Sequence, residues 1–158
     1  MRVAVGADHA GFPIKLRVIA AITALGHTVI DRGTHSTDPV DFPDITLATC
    51  TPVLDGRADR AVLVCGTGAG AIMAANKIPG IRCGLANESY SAHQAVEHDD
   101  ANVIALGAWL VPPAFIDDIV AAFLAATFDD DEDTRRRVAK LNALDELATA
   151  TPLPLTLI

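Results

Sequence analysis

Apolar residues along the chain fall into two alternating rhythms. Short unbroken runs recur at Arg2 to Gly6 (RVAVG), His27 to Ile30 (HTVI), Ala61 to Val64 (AVLV), Ile81 to Ala86 and Asn102 to Leu106. Such runs lack polar alternation, as strands buried on both faces do. Between them the spacing becomes helical. Ile14, Val18, Ile22 and Leu25 share one face of a helix opened by Pro13 and closed by Gly26. Further helices are predicted from about Asp44 to Leu54, over Glu88 to Glu97, and from Pro112-Pro113 to about Ala126. A last helix includes Arg135 to Leu147, with Asp133 or Thr134 as its cap. Strands alternating with helices predict an α/β fold, a parallel sheet covered on both faces. No repeat or linker divides the chain, so a single domain is expected over residues 1–150, followed by an irregular tail at 151–158.

The chain is organised around Val62 to Lys77, VLVCGTGAGAIMAANK. It reads as a buried strand, a turn with three glycines, and the start of a helix. That geometry gathers backbone N–H groups beside the positive end of a helix. The spacing fits neither the dinucleotide fingerprint nor the P-loop. Alone, it is also what a tight strand-to-helix connection requires.

Parallel α/β folds bind ligands beyond the carboxyl ends of their strands. Three loops carrying reactive side chains are expected there: Asp8-His9, Cys65-Gly66-Thr67 and His98-Asp99. Cys65 reads either as a small buried hydrophobe or as a thiolate base whose pKa is lowered by the N–H cluster. Its place at the strand end favours the base. Thr67 either bonds its own turn or relays a proton. His98 is either a surface residue or an acid–base near neutral pH. His9 caps a helix or contacts an anion, and Asp8 caps the first helix or binds hydroxyls. Cys50 and Cys83 sit in apolar segments and read as core.

Composition narrows the partners. Half of the 158 residues are hydrophobic, enough for a substantial core. A net charge of −8 argues against nucleic acid, which needs a basic face, but leaves room for a small anion held by a few cations. No apolar run has membrane-spanning length and no signal-peptide pattern opens the chain. Three cysteines without metal-ligand spacing suggest a reduced, cytoplasmic setting. No metal and no cofactor are expected. G-x-S-x-G is missing, so this is no nucleophile elbow.

The motifs resemble those of type B ribose-5-phosphate isomerases and the related galactose-6-phosphate isomerase subunits. The resemblance is carried by Gly6-Ala7-Asp8-His9-Ala10-Gly11-Phe12, Asp41-Phe42-Pro43-Asp44 and Cys65-Gly66-Thr67-Gly68-Ala69-Gly70. It continues through Ala74 to Arg82, Tyr90-Ser91-Ala92 and Asn102 to Gly107. It implies a Rossmann-like three-layer α/β/α sandwich with a five-stranded parallel sheet, and a homodimer or tetramer with sites between subunits. It further implies an aldose–ketose isomerase working through an enediol on a sugar or sugar phosphate. Carried over by position, Cys65 would be the base, and the amides of Gly66, Gly68, Ala69 and Gly70 would stabilise the enediolate oxygen. Thr67 and His98 would help open the sugar ring. Asp8 would hold hydroxyls, and His9 and Arg137 would face the phosphate. The alternative is a non-catalytic or obligate hetero-partner subunit of the same fold.

Three positions depart from the family pattern. Trp109 stands where many members have a phosphate-binding arginine, Asp133 where another is expected, and Asp99 in place of an asparagine. Each lost charge-assisted bond is worth about 1.5–3 kcal/mol. Unless Arg135 or Arg136 compensates, an altered substrate is expected. Trp109 offers a flat ring to stack on a sugar.

Overall fold

The structure, a computed structural model, describes residues 1–149; the tail expected at 151–158 lies outside the described residues. Five strands form one parallel sheet: β1 (Arg2–Ala7), β2 (Thr28–Asp31), β3 (Arg60–Cys65), β4 (Cys83–Leu85) and β5 (Val103–Gly107). Their order is β2-β1-β3-β5-β4. The helices are α1 (Phe12–Ala24), α2 (Phe42–Leu54), α3 (Ala69–Ala75), α4 (Ser89–Asp99), α5 (Ile116–Ala125) and α6 (Glu132–Thr149).

The unbroken apolar runs are explained by the two cores. Val3, Val5, Val62, Val64, Ile104 and Leu106 join the buried residues of α1, α4 and α5. The alternate residues Ala4, Ala61, Leu63, Val103 and Ala105 join those of α2 and α3. Alanine prevails on the second face, so α2 and α3 approach the sheet closely. At Gly6 a Cβ would stand 1.9 Å from Thr49 Oγ1. None of the described helices is long and apolar enough to cross a membrane.

Two helix ends differ from expectation. The cap of α6 is Asp131, whose carboxylate accepts the Thr134 N–H at 2.7 Å and is held below its usual pKa chiefly by that bond. Glu132 and Asp133 are already helical, so the cap falls before them. The helix α4 runs on through His98 and Asp99 to Asp100, which adopts a left-handed φ of 49°. This matters for the site. A helix returning between parallel strands ends at the amino end of the next strand. His98 and Asp99 therefore lie at the amino end of β5, while Cys65 pairs with Gly107 at its carboxyl end. The length of β5 between them is on the order of 15 Å. The expected convergence of three loops is thus corrected: His98-Asp99 of the same chain is not one of them.

Lys15 breaks the apolar pattern of α1, yet is only 1% exposed. Its ammonium donates to Asp31 Oδ1 and Oδ2 at 2.8 and 2.9 Å and to the Thr34 carbonyl at 2.7 Å, tying α1 to the end of β2. Removing the carboxylate strands a buried cation. Asp31→Ala is expected to cost about 3 kcal/mol in urea unfolding. Lys15→Met should cost less, because Asp31 is one-third exposed and water can replace the ammonium. Equal losses would contradict this account.

Candidate active site

The strand order reverses direction at the β1–β3 boundary, and a crevice opens there. Asp8 follows β1 and Cys65 ends β3. The Asp8 N–H donates to the Val64 carbonyl at 3.1 Å, extending the ladder one residue. Its carboxylate is 6% exposed and accepts the Gly11 N–H at 2.8 Å. Gly11 is pressed against the tip of β3. A Cβ there would stand 2.2 Å from the Val64 carbonyl oxygen and 2.9 Å from the Cys65 nitrogen. Close approach, not turn geometry, therefore requires glycine.

This contact sets Asp8 beside Cys65, and the two side chains line the same crevice. The sulfur is half-buried at the crevice. Burial is the main cause pushing its pKa up, followed by the hydrogen bond and the negative charge of Asp8. The N–H groups of Gly68 and Gly66 favour the charged sulfur and pull the pKa down, but by less. The expected lowering is thus reversed. Burial and the Asp8 charge outweigh the turn amides, and helix α3, with only seven residues, has a small dipole.

The glycine turn divides its amides. Those of Gly66 and Gly68 face the sulfur. That of Ala69 donates to Thr67 Oγ1 at 3.3 Å, so Thr67 does bond its own turn while its side chain stays exposed. The amides of Gly70 and Ala71, in the first turn of α3, have no acceptor among the described residues. Gly68 caps this helix at φ 82°, and a Cβ on it would meet Leu85 at 2.6 Å.

A third loop at the strand ends, residues 107–111, takes the place expected for His98-Asp99. Ala108 and Trp109 donate to the carbonyls of Cys65 and Gly66 at 2.8 and 2.9 Å. The Gly107 N–H is held by Asn87 Oδ1 at 2.9 Å. Sequence reading missed Asn87 and reached Phe42 only as part of a motif. Phe42 lies against Gly70, with ring atoms 3.1–3.3 Å from a Cβ built there. A glycine facing an aromatic leaves no periodic signal to find.

His9 follows Asp8, and its Nδ1 accepts the Val40 N–H at 3.3 Å. In the neutral ring this places the proton on Nε2, free to donate. The remaining candidates lie apart. His98 Nε2 is 3.8 Å from the Glu97 carboxylate, which also pairs with His93. Asp133 holds Arg136 at 2.6 Å and Arg137 at 3.5 Å. The crevice thus gathers Asp8, Cys65, the glycine turn and Trp109 from one chain, without His98, Asp99 or Arg137.

The space at Asp8 and Cys65, walled by Phe42, Ile45 and Thr46, is too tight within one chain to admit a water molecule. Ligand pockets usually need about 300 Å³ or more. A larger cavity of about 720 Å³ lies elsewhere, between α3, β4, α4 and α6, beside Lys77, Arg82, Asp99 and Leu144. Its one thiol, Cys83, is pushed far up by burial, and Arg82 is engaged by Asp100 and Asn142. The smaller crevice therefore has the chemistry and the larger cavity has the room.

The chain is similar to known proteins over most of its length. The profile of the Ribose/Galactose Isomerase family matches residues 3–141. Ribose-5-phosphate isomerase B of Escherichia coli is 36% identical over 145 residues, 92% of this chain and 97% of that one. Galactose-6-phosphate isomerase subunit LacB of Clostridium acetobutylicum is 35% identical over 147 residues, covering 93% and 83%. The structure of Clostridium thermocellum ribose-5-phosphate isomerase B superposes with a TM-score of 0.89 at 38% identity, covering 92% and 98%. With a matching fold and the motifs of the crevice inside the matched span, this chain belongs to the ribose/galactose isomerase family.

Proposed function

We propose that this protein is an aldose–ketose isomerase that moves a proton between C1 and C2 of a sugar through an enediol, at sites shared by two copies of the chain. The observation that carries the reading is the half-buried Cys65 sulfur lining the β1–β3 crevice together with Asp8, at the head of a glycine turn whose Gly70 and Ala71 amides have no acceptor among the described residues. Proton transfer next to a carbonyl needs a base and a cradle for the developing oxyanion.

The resting pair is a thiol and a carboxylate. The thiol gives its proton to Asp8, and the Gly66 and Gly68 amides hold the thiolate. The thiolate takes the C2 proton of the open-chain aldose. The C1 carbonyl oxygen becomes the enediolate oxygen and is met by the open amides of Gly70 and Ala71. The Cys65 proton then returns to C1, while the C2 hydroxyl proton passes to the C1 oxygen. His9, with Nε2–H free, donates to a substrate oxygen, and Thr67 stands exposed at the rim.

His98 and Arg137 join this site from the partner copy. The small volume of the crevice in one chain and the distance of His98 from Cys65 both support a shared site. His98 there opens the sugar ring. The substrate differs from ribose 5-phosphate, since Trp109 and Asp133 replace expected cations.

The reading is tested by isomerisation of a panel of free and phosphorylated aldoses by the purified chain alone. Turnover in that preparation rules out an obligate unlike partner, and its absence with every sugar would sink the proposal. A pH profile tests the base. Asp8 raises the thiol pKa, so a lower pH leaves less thiolate and kcat/KM should climb toward alkaline pH. Asp8→Asn removes that charge, and the rising limb should move to lower pH while the plateau falls, as the proton acceptor is lost. An unmoved limb would assign it to another group.

A further inference from the structure

The only tryptophan of the chain, Trp109, is 72% exposed at the mouth of the crevice. Leaving the largest apolar side chain uncovered by its own chain needs a reason. The residue is not loosely held. Its N–H donates to the Gly66 carbonyl at 2.9 Å, and Leu110 and Val111 fold back onto the Gly107 carbonyl at 2.9 and 2.8 Å. One edge of the indole, from Cε3 to Cη2, lies 2.9–3.1 Å from the place a Gly66 Cβ would occupy. The missing side chain at 66 gives the ring its seat. Phe42 is seated in the same way on Gly70. Two rings thus bracket the amide turn that follows Cys65.

No lysine or arginine among the described residues lines the crevice, and the neighbouring His9, Thr67 and Trp109 add none. The arginines at the head of α6, which the partner would supply, stand among carboxylates that offset their charge. Arg135 is 3.5 Å from Asp130, and Asp133 holds both Arg136 and Arg137. A phosphate is recognised by free cations. An indole face instead suits the C–H face of a sugar ring or chain, whose slightly positive hydrogens meet the negative π surface.

We infer that Trp109 is a specificity-determining residue that stacks on the substrate, and that the substrate is an uncharged, unphosphorylated aldose with its ketose. This rests on the isomerase reading of the same crevice and adds the chemical class of the sugar.

A single tryptophan makes the test direct. Cys65→Ala protein is titrated with free aldopentoses and aldohexoses, and with ribose 5-phosphate, while Trp109 emission is recorded. A free sugar should shift the emission saturably, with ribose 5-phosphate weaker. In protein with Cys65 intact, Trp109→Ala should raise KM for that sugar about tenfold and leave kcat within about threefold. Trp109→Phe should recover most of the loss, and Trp109→Arg should favour the phosphorylated sugar. Exposure of the side chain keeps these variants folded, which circular dichroism checks. Turnover of any sugar while Trp109 emission stays unmoved would overturn the stacking role and leave the isomerase intact. Better turnover of a sugar phosphate, unaffected by Trp109→Ala, would overturn it as well. A saturable emission shift with no turnover by unmodified protein would instead sink the isomerase reading and keep the stacking surface.

Discussion

Replacement of Cys65 by alanine is expected to lower proton exchange between solvent and substrate by about 10²–10⁴-fold, the contribution of a positioned base. The measurement is deuterium incorporation from heavy water into the sugar. Binding should survive, because the open amides of Gly70 and Ala71 and the side chains of His9 and Trp109 are untouched. Calorimetric titration of the variant checks this. The fold should survive too, since the thiol is half-buried and its removal leaves a small gap open to the crevice. Cys65→Ser should stay close to the alanine variant. A hydroxyl keeps the hydrogen bond to Asp8 but ionises far above the thiol, so it cannot take a carbon-bound proton. Undiminished exchange in either variant would remove the sulfur from the chemistry. The raised thiol pKa sharpens the expectation: rate should depend on Asp8 as proton acceptor as well as on the sulfur itself.

The second large effect concerns the assembly. Cys65→Ala and His98→Ala proteins should each be nearly inactive. If the two residues belong to sites built from different copies, mixing and reassembling the proteins should restore activity. Random exchange makes half of the dimers mixed, and each mixed dimer has one site with both residues and one with neither. The mixture should therefore regain about a quarter of unmodified activity, as two-fold symmetry dictates. A site complete within one chain predicts no recovery. The placement of His98 at the amino end of β5 makes that second outcome hard to reconcile with the fold.

Much of this was legible in the chain itself. The five apolar runs become five strands because both faces of a parallel sheet are covered, so no polar alternation interrupts them. Pro13 and Gly26 bracket α1 as proline and glycine do. Cys65 and the glycine turn stand where a strand-end motif predicts. What failed is informative. His98-Asp99 was misplaced by topology, not by the two extra residues of α4: the connection from a helix into a parallel strand lies at that strand's amino end, opposite Cys65. The direction of the Cys65 pKa shift was hidden because burial, its main cause, and the contact with Asp8, 57 positions away, both arise from tertiary packing and the β1–β3 pairing. The N-cap of α6 was misplaced within a run of acids, any of which has capping chemistry. Gly66 and Trp109 meet through a contact between two loops, and no local pattern announces it.

The seating of Gly11 on the Val64 carbonyl has one further consequence. Asp8 and Cys65 sit on segments clamped together with no slack, so neither can drift without the other. The proton-handling pair is thereby insulated from change around it. Trp109, Asp133 and the neighbouring copy lie outside that clamp and are free to vary. A lineage built this way can exchange one sugar for another by altering the rim alone, while the step at carbon stays the same.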